Sequence, residues 1–195
     1  MLSLDARKSN CDASDTMKII AAQSDNQVAA VRQLFTEYAR SLQIDLCFQG
    51  FEQELAELPG RYAPPAGRLL LALEGDAVAG CVALRKIGDG VCEMKRLYVR
   101  PAFRGKGAGR LLANTVLEAA RECDYQRMRL DTLGSMKEAI GLYESFGFIR
   151  TGPYYDNPSA CAVFMELDVR ESSRRQPPSA RETSTSKLQK GAQAG

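Results

Sequence analysis

The chain has 195 residues, of which 45% are hydrophobic and 26% charged, the balance of an ordinary globular protein of about one domain. It has no histidine, which excludes a Cys–His nucleophilic pair and any imidazole-ligated metal centre. The net charge of +2 is concentrated in residues 170–195, with six Lys/Arg against two Asp/Glu, so the nearly neutral remainder offers no basic face to a nucleic acid.

Residues 1–17 are polar and aperiodic, and are expected to form a flexible N-terminal extension. They hold no long apolar stretch of the kind a secretory signal needs. Nor does any later run reach the ~18 apolar residues of a membrane span. The six cysteines include no C-x-x-C pair. Reduced thiols in a cytoplasmic protein are the expectation, with Cys81, Cys92 and Cys161 packed in apolar strands. No metal site is expected.

Residues 18–22 (KIIAA) read as a short strand. A helix follows from Ser24, whose spacing to Gln27 fits a capping box. Val28, Val31, Leu34, Phe35, Tyr38 and Leu42 give it one apolar stripe. Residues 51–58 read as a shorter helix stopped by Pro59-Gly60, and the Pro- and Gly-rich residues 61–67 as a loop. Three strands come next, at 68–74, 77–87 and 91–99, separated by Gly75-Asp76 and Gly88-Asp89-Gly90. Tight turns of this kind imply an antiparallel meander. After a glycine-rich stretch, residues 111–121 are periodic as a helix and 127–133 as a strand. The span 91–133 is therefore one right-handed parallel β–α–β unit. A helix at 136–146 should end at Gly147 in a left-handed cap. Strands beginning at Phe148 and spanning 161–167 complete an α+β fold. Residues 170–195 read as a disordered basic tail, leaving 18–169 as the domain.

The chemistry concentrates at residues 99–112 (VRPAFRGKGAGRLL). Here a strand runs into a glycine-rich turn that opens a helix. The first N–H groups of a helix have no partner within it, and its dipole is positive at that end. Glycines keep side chains off those donors, so the turn suits a phosphate or diphosphate. Arg104, Lys106 and Arg110 add positive charge. The P-loop pattern fails, since Gly107 follows Lys106 where Ser or Thr is required, and Arg100 stands where a glycine is needed. The dinucleotide fingerprint fails at Arg110 in one register and at Leu112 in the other.

What remains resembles the acyl-CoA signature of the GNAT acetyltransferase superfamily, R/Q-x-x-G-x-G/A, met by Arg104, Gly107 and Gly109. The run 93–99 (EMKRLYV), Pro101 and the segment 142–148 (LYESFGF) resemble that family in order and spacing, over roughly residues 18–168. The resemblance implies a mixed, mostly antiparallel central sheet with helices on both faces and a splayed acyl-CoA cleft. It also implies acetyl-CoA as co-substrate and transfer of its acetyl group to an amine by direct attack. Backbone N–H groups of Arg104, Gly105, Lys106, Gly107, Ala108, Gly109 and Arg110 would hold the diphosphate. The main chain of Leu97, Tyr98 and Val99 would pair with the pantetheine arm, and an N–H near Leu97 would polarise the acetyl carbonyl.

By the same resemblance Tyr143 would protonate the departing thiolate; packing alone is the alternative, since Met136, Ile140 and Tyr143 share a helical face. Glu93 is a candidate base, with Glu52, Glu54, Tyr98 and a water chain as competitors. Residues 48–54, 61–66 and 154–157 occupy acceptor-shaping positions, and their aromatic and acidic groups suit a cationic amine. An asparagine that contacts the cofactor in some members has no counterpart in the DTLGS run at 131–135. The acceptor is left open between a small molecule and a peptide amine. A protein-lysine or N-terminal acetyltransferase and a non-catalytic acyl-CoA sensor are the alternatives. Homodimers are common in the family, and no stretch of this sequence marks an interface.

Overall fold

The computed structural model describes residues 16–42, 50–157 and 159–172. In chain order these form β1 (Met17–Ala21), α1 (Asp25–Leu42), α2 (Phe51–Glu57), β2 (Arg68–Glu74), β3 (Ala77–Gly88), β4 (Val91–Val99), α3 (Ala108–Glu122), β5 (Arg127–Leu133), α4 (Lys137–Phe146), β6 (Ile149–Thr151), β7 (Ala162–Asp168) and α5 (Val169–Ser172). The strands make one sheet ordered β1-β2-β3-β4-β5-β7-β6. Only β4 and β5 run parallel, across the α3 crossover.

Side chains on a strand alternate between faces, and the two layers follow that alternation. Leu69 and Leu71 face α1 and α2, meeting Val31, Leu34, Phe35 and Phe51. Leu70 and Ala72 join the opposite layer with Leu112, Val116 and Tyr143 from α3 and α4. The capping box forms as expected: Ser24 N–H donates to Gln27 Oε1 at 3.0 Å, and Gln27 N–H to Ser24 Oγ at 3.4 Å. Gly147 caps α4 at φ 95°.

Several boundaries differ from the sequence reading by a residue or so, and three larger departures stand out. Helix α3 begins at Ala108, not 111. Its glycines lower helix propensity, and the periodic apolar residues begin only at Leu111, so the first turn is not marked in the sequence. The short helix α5 follows β7 where the tail is expected to begin, and its Val169 is fully buried and accepts from Arg121 Nε at 3.2 Å. Cys161 is exposed just ahead of β7, whereas Cys81 and Cys92 are buried. The expectations for residues 1–15 and 173–195 lie outside the described residues.

Two irregularities in β4 position the site. Against β3, Cys81 pairs with Tyr98 and Ala83 with Lys95, so Arg96 and Leu97 together oppose Val82. This is a β-bulge, and Arg96 takes φ 57° within it. Left-handed backbone is unfavourable for a residue bearing a Cβ. Arg96 is held there by Glu54 of α2 through Nε at 3.1 Å and Nη2 at 2.6 Å, and it stacks 5.0 Å from the Phe51 ring. Against β5, β4 pairs only through Val91, Cys92 and Glu93. Beyond them the strands part, while β5 stays paired to β7 as far as Leu133.

Burial raises the pKa of Glu54, but the hydrogen bonds and charge of Arg96 outweigh it and hold the carboxyl below its ordinary value. A depressed carboxylate pKa stabilises the fold above the unfolded-state pKa, and that contribution fades as pH falls through the folded value. Glu54→Gln strands a buried guanidinium and should cost about 3 kcal/mol in urea unfolding at pH 7. The gap between wild type and variant should close below the ordinary carboxylate range. A gap that persists in acid would mean that packing, not charge, anchors the bulge.

Candidate active site

The parting of β4 from β5 opens a cleft of about 590 Å³. One wall is the end of β4, with Leu97, Tyr98 and Val99. The floor is the glycine turn and the start of α3, with Arg104, Gly105, Gly107, Ala108 and Gly109. The opposite wall is α4 with the residues before it, including Ser135, Met136, Leu142 and Tyr143. Gly107 is the N-cap of α3 at φ 84°, and no side chain caps the helix. A Cβ built on Gly105 or Gly107 meets no atom within 4 Å. Both glycines therefore border open space at the positive end of a fifteen-residue helix. The first-turn N–H groups, the empty margin and the unpaired β4 backbone together fit a chain-like ligand ending in a diphosphate.

Arg104, Lys106 and Arg110 do not share one role. Arg104 Nε donates to the Val99 carbonyl at 3.1 Å, tying the turn to β4 at the cleft margin. Lys106 leans away to Glu74, at 2.7 Å, and lies over Phe103. Arg110 lies over Phe146 on the flank of α4. Neither Lys106 nor Arg110 lines the cleft.

A second, smaller chamber of about 40 Å³ adjoins the cleft, lined by Met94, Lys95, Arg96, Asp131, Thr132 and Asn157 among others. Tyr38, Leu97, Met136 and Tyr143 line both spaces and form the neck between them. The Tyr143 ring is buried and packs edge-on to Phe148 at 5.8 Å. Its hydroxyl makes no hydrogen bond to a described residue, and no fully buried polar side-chain atom lacks a partner. The oxygen therefore opens toward the neck. Burial first, then the neighbouring Tyr38 and Asp131, raises the Tyr143 pKa above its ordinary value. Tyr38 is pushed up to about 12, chiefly by burial. Both phenols keep their protons through neutral pH.

Glu93 lies apart from both spaces. It is fully buried, and its carboxylate accepts from Arg85 Nε at 2.6 Å and from Tyr154 Oη at 2.7 Å. Lys95 Nζ is 3.8 Å away. Glu52 is exposed on α2, and Glu54 is taken up by Arg96 and Tyr62. Of the expected acceptor segments, residues 154–157 reach the site: Tyr155 and Asn157 donate to Asp131 Oδ2, at 2.8 Å and 3.4 Å. Residues 61–66 do not line the chamber, and 48–49 lie outside the described residues.

Sequence reasoning missed Tyr38, Lys95 and Asp131. Tyr38 was absorbed into the apolar stripe of α1. For the other two a signal was available: charged residues inside central strands flanked by buried ones are costly unless paired.

A family model described as the acetyltransferase (GNAT) family matches residues 17–148. An uncharacterised N-acetyltransferase of Schizosaccharomyces pombe is 43% identical over 140 residues, covering 71% of this chain and 86% of the relative. Among solved structures, an acetyltransferase from Streptococcus agalactiae aligns with a TM-score of 0.65 at 23% identity, over 78% of this chain and 98% of that one. A candidate acetyltransferase of Salmonella typhimurium, solved with its cofactor acetyl-CoA, aligns with a TM-score of 0.60 at 23% identity, over 78% and 94%.

Proposed function

The chain belongs to the GNAT acetyltransferase family and is an N-acetyltransferase, and from that premise we propose that it binds acetyl-CoA in the cleft and acetylates a primary amine presented from the adjoining chamber. The observation that carries this reading is the neck. Two phenols, Tyr38 and Tyr143, line both a ligand-sized cleft and a polar chamber, and Tyr143 is the one that the family resemblance makes the acid.

When bound, acetyl-CoA supplies an activated acetyl thioester. The first-turn N–H groups of α3 hold its diphosphate, and the margin at Gly105 and Gly107 leaves them accessible. The edge of β4 from Leu97 to Val99, which does not pair with β5, would align the pantetheine arm as an added strand. A backbone N–H near Leu97, beside the bulge, would polarise the acetyl carbonyl, where a fixed donor stabilises developing negative charge. Tyr143 holds its proton through neutral pH; as the amine nitrogen bonds to the acetyl carbon and the C–S bond breaks, it would give that proton to the leaving sulfur and regain one from the nitrogen, which must lose a proton to become the amide. Glu93, expected as the base, is reassigned as a positioning residue: its carboxylate is committed to Arg85 and Tyr154, and it anchors the 154–157 segment over the chamber.

Calorimetric titration with acetyl-CoA and with CoA tests the reading. Binding of both by the folded protein is expected, and absence of binding would sink it. Among the described residues no helix is long and apolar enough to cross a membrane.

A further inference from the structure

The walls of the chamber beyond the neck carry opposite charges in contact. Lys95 Nζ lies 3.1 Å from Asp131 Oδ1, and the two side chains are only 6% and 12% exposed. Lys95 comes from β4 and Asp131 from β5, just past the point where those strands part. Asp131 Oδ2 faces Tyr155 and Asn157, both of which donate to it. The neighbouring Arg96 is already engaged by both oxygens of Glu54.

A charge buried without a partner is expensive. An acceptor that enters as a bare ammonium can reach Asp131 only by competing with Lys95, and it adds a third cation to a cluster in which Lys95 and Arg85 already balance Asp131 and Glu93. An acceptor that carries its own carboxylate beside the amine avoids this. Its ammonium pairs with Asp131, its carboxylate pairs with Lys95, and every charge keeps a partner. In an α-amino acid the two groups share one carbon, so they match a lysine and a carboxylate that are themselves in contact. The geometry points to an amino-acid-like acceptor, a primary amine with an adjacent carboxylate, bound by exchange of the Lys95–Asp131 ion pair. This assignment rests on the reading of the adjoining cleft as the acetyl-CoA site.

The test pairs common α-amino acids with the amines that lack their carboxylate, such as glycine with methylamine and phenylalanine with phenethylamine. Thiol release from acetyl-CoA is followed with the full chain. At least one amino acid should exceed its paired amine in kcat/KM by about 10–100-fold, the size of a lost charge-assisted contact. In Lys95→Met that preference should fall to within roughly threefold, with acetyl-CoA affinity by calorimetry retained. If Lys95→Met does not fold, the wild-type ratio decides alone. Equal or faster turnover of the amines overturns the inference. So does failure to acetylate any amino acid by protein that binds acetyl-CoA, or a preference that survives in folded Lys95→Met. Failure to bind acetyl-CoA at all would instead remove the cleft assignment, and this inference with it.

Discussion

Gly107→Val should abolish measurable acetyl-CoA binding while the protein still folds. Gly107 sits at φ 84° as the N-cap of α3, and a Cβ there meets nothing within 4 Å. The substitution therefore causes no clash within the protein. Its folding cost is the left-handed backbone, about 1–2 kcal/mol, which a domain of this size tolerates. The space that the side chain fills is the approach to the first-turn N–H groups. Each charge-assisted hydrogen bond lost there is worth about 1.5–3 kcal/mol. Losing two weakens binding by roughly 10²–10⁴-fold. Calorimetry beside circular dichroism separates this from unfolding. Gly107→Ala, with the same strain and less bulk, should fall between. A folded Gly107→Val protein with wild-type affinity would show that the diphosphate lies elsewhere.

Tyr143→Phe should lower kcat by about 10²–10⁴-fold, the range for a positioned general acid, and leave acetyl-CoA affinity within a few-fold. The ring carries the packing against Phe148, and the phenylalanine ring keeps it. The hydroxyl bonds to no described residue, so stability should hardly change. Burial and the Tyr38 and Asp131 neighbours raise its pKa, which keeps the donor protonated beyond the usual tyrosine range. An alkaline decline in kcat near the ordinary tyrosine value would therefore belong to another group. Unchanged kcat would return Tyr143 to a packing role.

The frame of this molecule was readable because local signals agreed. Strands β2, β4 and β5 have the bounds that alternation and turn residues indicate. The glycine turn and all but the first turn of the helix after it were readable because they are written in contiguous residues. The chamber was not, because its parts come from α1, β4, β5 and the 154–157 segment. Lys95 and Asp131 are 36 positions apart, and so is no pattern within a window. The surroundings of Glu93 were hidden for the same reason: Arg85 and Tyr154, which hold its carboxylate, are brought to it by tertiary structure.

The parting of β4 and β5 has a mechanical side. The sheet is two panels, β1–β4 and β5–β7, whose edges touch directly through three residue pairs. Beyond those pairs the panels are joined by the Lys95–Asp131 ion pair and by the layer of α3 and α4 beneath. A ligand that hydrogen-bonds to the loose edge of β4 while resting on α3 and α4 acts as a staple across both panels. Acetyl-CoA at 100 times its Kd would add about 2.7 kcal/mol to apparent stability by mass action alone. The gain should appear as slowed amide exchange at the far ends of β4 and β5, with little change at Val91–Glu93, where the panels are already joined.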